Sequence, residues 1–561
     1  GGADPGVGLR GWGTAPQNGR PMERSSHRPG GVLAAVALAL GVALAAIYLL
    51  ALAPPAGSLD DVFVVLTEAR SSLGAVDSTA WRPPAVDSCT SPADVLLKMA
   101  LLTASDGHDP LRAAGWLALL ELAAFAGASV WLLSTWVPDF RLRALCAVGL
   151  VGVPGLVESA SYRLEGPLFA LVWMQAVAGA LDRSPRRAMA WGALLAWVRP
   201  EGMLLGLAAS WSALGSPRQG RSRWHIMGAA LAILPVSGYR WLRFGDWLPN
   251  TYRAKRSDSV VQEWMDGSAY AVDLLLSPGG AALVLLAGML ALGARTERAN
   301  GSRDRSGPCS IALGLAGLAL AALVASGGDS YSGARLALPI GIPLWLGLAR
   351  AEAAVGRRVA VGLAAVVLQS VFLIGSGQGG PSVLERLQGA TGGPAGLEVF
   401  QPEQRALEAA ARALGVEVLA HRHLQRVRWF CPEVRIMDLT GLTDREVAGT
   451  PAPGQVKFGR DAVSLALERR VGAMHLDPVG VRPAALAGAP LVPALSEPRL
   501  AAGFAGPPFL SRQLAEAIDS EYLGGSYPVP GGHVNLLIRR DLAPRFEAAG
   551  FVVSAPSAAP R

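Results

Sequence analysis

The sequence predicts a polytopic α-helical membrane protein with a small α/β domain at its C-terminal end. Three observations predict it. Of 561 residues, 51% are hydrophobic and only 17% charged, a balance too apolar for a water-soluble chain of this length. Uncharged apolar runs recur, and the first, GVLAAVALALGVALAAIYLLALA over 31–53, exceeds the roughly 20 residues a membrane helix needs. From residue 377 the composition turns polar and rich in proline and glycine.

Residues 1–30 read as a cytoplasmic, disordered N-terminal segment, with the first methionine at Met22. Arg24 and Arg28 precede the first apolar run; no cleavage site follows it and further runs do, so it reads as an uncleaved first span. Apolar stretches follow near 112–136, 144–157, 167–181, 188–198, 203–215, 224–242, 277–294, 309–326, 334–350 and 359–376, making about eleven crossings. The stretch ADVLLKMALLTA at 93–104 holds Asp94 and Lys98 and reads instead as lying in the membrane interface. It belongs to a long first outer loop, 54–111.

Arginines of short loops gather on the cytoplasmic side of a membrane, which tests this count. Alternate loops carry Arg141 and Arg143; Arg183, Arg186 and Arg187; Arg218, Arg221 and Arg223; Arg295, Arg298, Arg303 and Arg305; and Arg350, Arg357 and Arg358. The net charge of +7 therefore reports topology and not a nucleic-acid partner. The segment 188–215 must form two short helices for the alternation to hold. Residues 31–376 then form the transmembrane module, and 377–561 an extracytoplasmic domain. In that domain GVEVLAH (415–421), VGAMHLDP (471–478) and HVNLLIRR (533–540) read as strands, and EQRALEAAARAL (403–414) as an amphipathic helix.

The other loops hold the unusual polar residues: SLDDVFVV (58–65), ESASYRLEG (158–166), RPEG (199–202), GDWLPNTYRAK (245–255) and GGDSYSGARLALP (327–339). Polar groups serving solubility alone would appear on both sides. A site that transfers a sugar from a lipid-linked phosphate would draw them to one. Such a transfer needs a general base for the acceptor proton, and Asp60 and Asp61 fit. It needs cations for the donor phosphate, and Arg199, Lys255 and Arg335 fit. Each has an ordinary alternative. Ser58, Asp60 and Asp61 also suit a helix N-terminus, and Arg199 before Pro200 suits a snorkelling side chain. Lys255, one of three lysines, supplies a compact ammonium where the chain otherwise uses arginine. Asp329 either contacts the donor or pairs with Arg335. Glu158, Glu165, Asn250 and Tyr252 either bind substrate or hold an interfacial loop together. The seven histidines show no metal-ligand spacing, no nucleotide motif is present, and four scattered cysteines make no disulfide framework.

Taken in order, the acidic pair after the first span, CTSPADVLL (89–97), RLEGPLF (163–169), RPEG, GDWLPNTYRAK, GGDSYSGARLALP and DLTGLTD (438–444) resemble the GT-C superfamily of polyprenyl-phosphate-sugar-dependent glycosyltransferases. Within it they are most similar to the branch of the mycobacterial terminal β-(1→2) arabinofuranosyltransferase and its bacterial relatives. The resemblance spans roughly residues 31–450. It implies a multi-pass protein of the bacterial plasma membrane and an inverting displacement with Asp60 or Asp61 as base. The partners it implies are a polyprenyl-phosphate sugar as donor and a cell-envelope glycan or lipid as acceptor. It also implies substrate-binding roles for Thr90, Ser91, Glu165, Arg199, Glu201, Asn250, Tyr252, Lys255, Asp329 and Arg335. Metal use differs across that superfamily, so no divalent metal is assigned. The departures lie at DDVFVV, where relatives follow the acidic pair with small and aromatic residues, and at CTSPADVLL, around which relatives have an aromatic-rich stretch, and they bear on which sugar is taken. The alternative is a transporter or flippase of a lipid-linked sugar. That would place ionisable groups along the spans, whereas the spans read as almost free of acids.

Overall fold

The computed structural model describes residues 60–73, 89–105, 109–214, 222–255, 259–299, 307–328, 335–351, 355–375, 397–421, 424–439, 441, 444–449, 462–475, 512–529 and 532–553. The expected first crossing at 31–53 lies outside them. A helix bundle comes first: α1 (Asp60–Ser72), α2 (Pro92–Ala104), α3 (Pro110–Trp136), α4 (Phe140–Val151), α5 (Leu156–Ser161), α6 (Gly166–Leu181), α7 (Pro185–Val198) and α8 (Gly202–Leu214). It continues with α9 (Ser222–Phe244), α10 (Asn250–Lys255), α11 (Val260–Leu276), α12 (Pro278–Ala299), α13 (Pro308–Ala325), α14 (Leu338–Arg350) and α15 (Val355–Gly375). Every apolar stretch expected from residue 112 onward overlaps one of these helices, except 144–157, which is divided between α4 and α5.

Among the described residues three helices are long and apolar enough to cross a membrane: Pro110–Trp136, Pro278–Glu297 and Pro308–Ala325. The first two turn large apolar side chains outward, as at Trp116, Leu120, Val284 and Leu292. Helices α4, α7, α8 and α14 have 12, 14, 13 and 13 residues. At 1.5 Å per residue they rise about 18–21 Å, short of the ~30 Å hydrocarbon core. The stretch read as a crossing over 144–157 is also interrupted. Helix α4 stops at Val151, because Pro154 lacks the N–H a helix needs and Gly155 has φ of +85°.

Helices α7 and α8 form a tight hairpin, the arrangement the alternation required. Gly192 faces Gly206, and Leu195 faces Gly202, so the two backbones meet without side chains between them. The Gly206→Ala variant would drive a methyl into the Gly192 carbonyl. It should cost about 1–3 kcal/mol by overpacking, read as a lower thermal midpoint in detergent. Gly127→Ala, whose methyl would meet nothing within 4 Å, should leave the midpoint unchanged.

Arginines from three of the basic loops come together at one end of this bundle. Arg143 donates to Val137 O at 3.0 Å and Arg183 to Ser212 O at 3.3 Å. Arg358 donates to Ala349 O at 3.3 Å. Arg350 reaches Asp182 at 3.4 Å and lies over the Trp136 ring. Each interaction places a cation on a helix C-terminus or its neighbour, where unpaired carbonyls and the macrodipole favour it.

Helix α11 occupies a segment to which the sequence reading assigned no element. Glu263, Gly267, Ala271 and Leu274 are buried on one side. Val260, Val261, Trp264, Met265, Val272 and Leu276 are exposed, and Gln262 bonds Asp266 on a third, polar side. Three sectors obscure the two-sided period that sequence reading looks for.

The C-terminal domain holds helices α16 (Gln401–Leu414), α17 (Leu424–Phe430), α18 (Arg445–Gly449), α19 (Ala462–Glu468), α20 (Arg512–Glu521) and α21 (Ala543–Ala548). Its strands are β1 (Val418–His421), β2 (Arg435–Asp438), β3 (Ala473–His475), β4 (Tyr522–Val529), β5 (Gly532–Arg539) and β6 (Val552–Val553). They form one sheet in the order β2-β1-β3-β5-β4-β6. β1 is parallel to both β2 and β3, and the remaining pairings are antiparallel. The expected strands and amphipathic helix are present. One sheet face, with Leu419, Ile436 and Ala473, packs under α16 and α17. The four cysteines are free and buried.

Candidate functional site

The site lies at the bundle end opposite the arginine cluster and is built outward from α2. Ser91 is buried and caps α2, its hydroxyl accepting from Asp94 N at 3.3 Å. The carbonyl of Thr90 accepts from the fully buried Arg240 at 3.1 Å. One turn into α2, Lys98 donates to both carboxylate oxygens of Asp94, at 2.7 and 2.6 Å, and to Arg163 O at 3.1 Å. Both side chains are 2% exposed. Burial pushes the Asp94 carboxyl up from its ordinary value of 3.8, Lys98 pulls it back, and nearby Glu165 adds to the rise. The remaining half of α2, with Leu96 and Leu97, faces outward, as an interfacial helix would.

Arg163 sits in the left-handed region at φ +59°, which turns the chain into α6 and sets Glu165 at its N-cap. Glu165 accepts from Arg199 Nη1 at 2.9 Å, and Arg199 Nε donates to Glu201 at 2.5 Å. Arg199 is the C-cap of α7, so the RPEG turn delivers one guanidinium between two carboxylates. Arg335, in a 3₁₀ turn at Arg335–Ala337 leading into α14, lies within electrostatic range of Arg199.

The C-terminal domain closes over this end. Arg70 of α1 donates to Trp429 O and Arg428 O at 3.1 and 3.0 Å, and its guanidinium lies 4.5 Å from the Trp429 ring centroid. Phe63 of α1 meets Phe400, Trp429 and Phe430. Asn250 of α10 is buried and donates to Gly441 O at 2.6 Å. Gly441 needs its φ of +75°, and a Cβ there would strike Ala448 N at 2.8 Å.

Of the residues singled out in the sequence, Thr90, Ser91, Glu165, Arg199, Glu201 and Arg335 come together. Asn250 joins the site's roof to the bundle, and Tyr252 beside it is exposed. The side chains of Asp60, Asp61, Glu158 and Lys255, and the whole of Asp329, lie outside the described residues. Arg199, expected to meet the donor phosphate, has its charge committed to Glu165 and Glu201. Asp444 caps α18 through Glu446 N and Val447 N and pairs with Arg469 at 2.9 Å, which makes it structural.

Sequence reasoning missed three contributors. Asp94 and Lys98 were legible only as charges unsuited to a crossing, though their i,i+4 spacing is the signal for a helical ion pair. Glu121, in the middle of α3, is the exception in a set of spans read as almost free of acids. It is 9% exposed, its Oε1 has no hydrogen-bond partner, and Asp94, Lys98 and Glu165 surround it electrostatically. Among the described residues no group of His, Cys, Asp and Glu is arranged to hold a metal.

No protein-family model matches the chain, and no curated protein matches it. Solved structures similar to it include two of the oligosaccharyltransferase of Archaeoglobus fulgidus. The apo form is 11% identical with a TM-score of 0.45, over 89% of this chain and 74% of that chain. The form tethered by a disulfide bond to an acceptor peptide containing the NVT sequon is 12% identical with a TM-score of 0.44, over 89% and 73%. At TM-scores below one half these likenesses carry no argument about chemistry, which rests on the side chains above.

Proposed function

We propose that the chain is an inverting membrane glycosyltransferase of the GT-C type. It moves a sugar, arabinofuranose by the resemblance of its motifs, from a polyprenyl-phosphate donor to a hydroxyl of a cell-envelope glycan or lipid on the extracytoplasmic side. One observation carries this reading. Motifs scattered from residue 89 to residue 444 meet at a single end of the bundle, opposite the arginine-bearing end and beneath the α/β domain.

In this reading an acceptor hydroxyl loses its proton to Asp60 or Asp61 as its oxygen bonds to C1 of the sugar. The bond from C1 to the phosphate oxygen breaks from the opposite face, and polyprenyl phosphate leaves with the electron pair. Lys255 and Arg335 meet the phosphate. Arg199 is a positioning residue that holds Glu165 and Glu201, and the buried Asp94 and Lys98 pair fixes α2 beneath α1. The three-sector helix α11 lies in the outer membrane interface, its exposed apolar sector against lipid.

Transport of the lipid-linked sugar is the second reading, and Glu121 favours it, since a buried acid within a span is a functional feature by default. Purified protein in vesicles, supplied with a panel of labelled polyprenyl-phosphate sugars and a cell-envelope extract as acceptor, separates the two. Transfer predicts one donor that yields a product inverted at C1 together with free polyprenyl phosphate. Passage of intact donor across the vesicle with no new glycosidic bond would establish transport instead.

A further inference from the structure

We propose that the arginine-bearing end of the bundle holds a binding site for the phosphate group of an anionic phospholipid, formed by Arg143, Arg187, Arg350 and Arg358. Contacts through shared neighbours bring the four together. Arg187 and Arg350 both pair with Asp182, at 3.2 and 3.4 Å. Arg350 ends α14, and its guanidinium lies 5.1 Å from the centroid of the Trp136 ring at the end of α3. Arg143 reaches the next two carbonyls along that chain, Val137 O at 3.0 Å and Pro138 O at 3.3 Å. Arg358 crosses from α15 to Ala349 O at 3.3 Å, one residue before Arg350. Residues of α3, α4, α7, α14 and α15 thus meet around one carboxylate.

The protein does not neutralise this charge. Among the described residues Asp182 is the carboxylate that pairs with these arginines, and Asp139 beside them caps α4 through Leu142 N at 2.9 Å. Four guanidiniums against two carboxylates leave positive charge in excess. Nor are all their donors engaged. Nε of Arg350 and Nε of Arg358 are buried and have no hydrogen-bond partner, an unmet need that an added acceptor would relieve. The cations remain within reach from outside, since the side chains of Arg187 and Arg350 are 23% and 34% exposed. Capping of helix C-termini accounts for a cation on each carbonyl. It accounts for neither the excess charge nor the idle donors.

The surroundings select the ligand. A guanidinium fork matches the oxygens of a phosphate. The cluster gathers where α3, a helix long and apolar enough to cross a membrane, comes to its end, and that is the level of phospholipid headgroups. Trp131, in the last two turns of α3, and Phe140, at the start of α4, are exposed and offer apolar ground to acyl chains. Basic pockets between helices at such a boundary take anionic headgroups. A zwitterionic headgroup brings its own cation and fits worse. The inference needs the chain to span a membrane and is independent of the glycosyl-transfer reading.

Delipidated full-length protein in dodecyl maltoside is titrated with dioctanoyl phosphatidylglycerol, dioctanoyl phosphatidylcholine or inorganic phosphate while the thermal midpoint is followed, since a ligand of the folded state raises it. The expected result is a saturable rise with phosphatidylglycerol, at a half-saturating concentration well below that of phosphatidylcholine. Arg358→Gln gives up one hydrogen bond within the protein and so keeps its fold. It should raise the half-saturating concentration about fivefold, and Arg350→Gln with Arg358→Gln about 25-fold, at roughly fivefold for each arginine beside an anionic headgroup. Arg112→Gln, at the other end of α3, should leave it unchanged. A rise as large with inorganic phosphate as with phosphatidylglycerol would overturn the lipid as the source of the phosphate. Equal half-saturation by the two lipids, or undiminished binding of phosphatidylglycerol by Arg358→Gln, would overturn the site itself.

Discussion

Replacing Lys98 by alanine should lower the stability of the protein by about 3–5 kcal/mol, the cost of stranding a buried charge. Asp94 and Lys98 are each 2% exposed and bonded at 2.6 Å, so water does not screen the loss. The ammonium satisfies both oxygens of Asp94 and the carbonyl of Arg163, and all three acceptors would lose their donor at once. A double variant, Asp94→Leu with Lys98→Met, should regain most of the loss, because well-packed apolar residues often replace a buried ion pair at little cost. Thermal unfolding in detergent measures both. A double variant as unstable as the single one would show that shape, not charge, decides this position. If the double variant folds but has lost transfer, the pair serves the reaction by orienting α2.

Replacing the acid that acts as base should reduce transfer by about 10²–10⁴-fold, the usual contribution of general base catalysis. Only one of Asp60→Asn and Asp61→Asn should do so. Helix α1 begins at Asp60, and one acceptor proton needs one base. The other variant should show at most a capping effect of about 0.5–2 kcal/mol on unfolding. Turnover of labelled donor and thermal midpoints, measured on the same preparations, distinguish loss of chemistry from loss of fold. Unimpaired turnover in both variants ends the assignment of the base to this pair.

Much of the fold was legible because apolar runs and their interruptions are local. Apart from α10 and α11, the helices from α3 to α15 fall on or within the runs read from the sequence, and the strands β1, β3 and β5 on short apolar stretches of the last third. The errors have local causes too. Pro154 lay inside a run that hydropathy alone treats as continuous, and α11 mixes core, exposed apolar and polar faces. The candidate site was legible in outline, since its motifs fell on one set of loops. Its internal pairing was not. Arg199 reads equally as a phosphate contact, and its two carboxylate partners became evident once α6 and α7 were brought together.

The amino-acid order by itself determined where most of the bundle's helices lie, which loops carry arginine, and that a polar stretch follows an apolar one. These follow from periodicity, capping and charge within a few turns of chain. Tertiary structure alone decided that Lys98 bonds a carbonyl 65 residues away and that Arg70 reaches one 359 residues away. It also decided that Arg187 and Arg350 share Asp182. Such contacts are selected by the packing of whole elements, whose free energy is shared among many side chains, and so no short stretch of sequence records them.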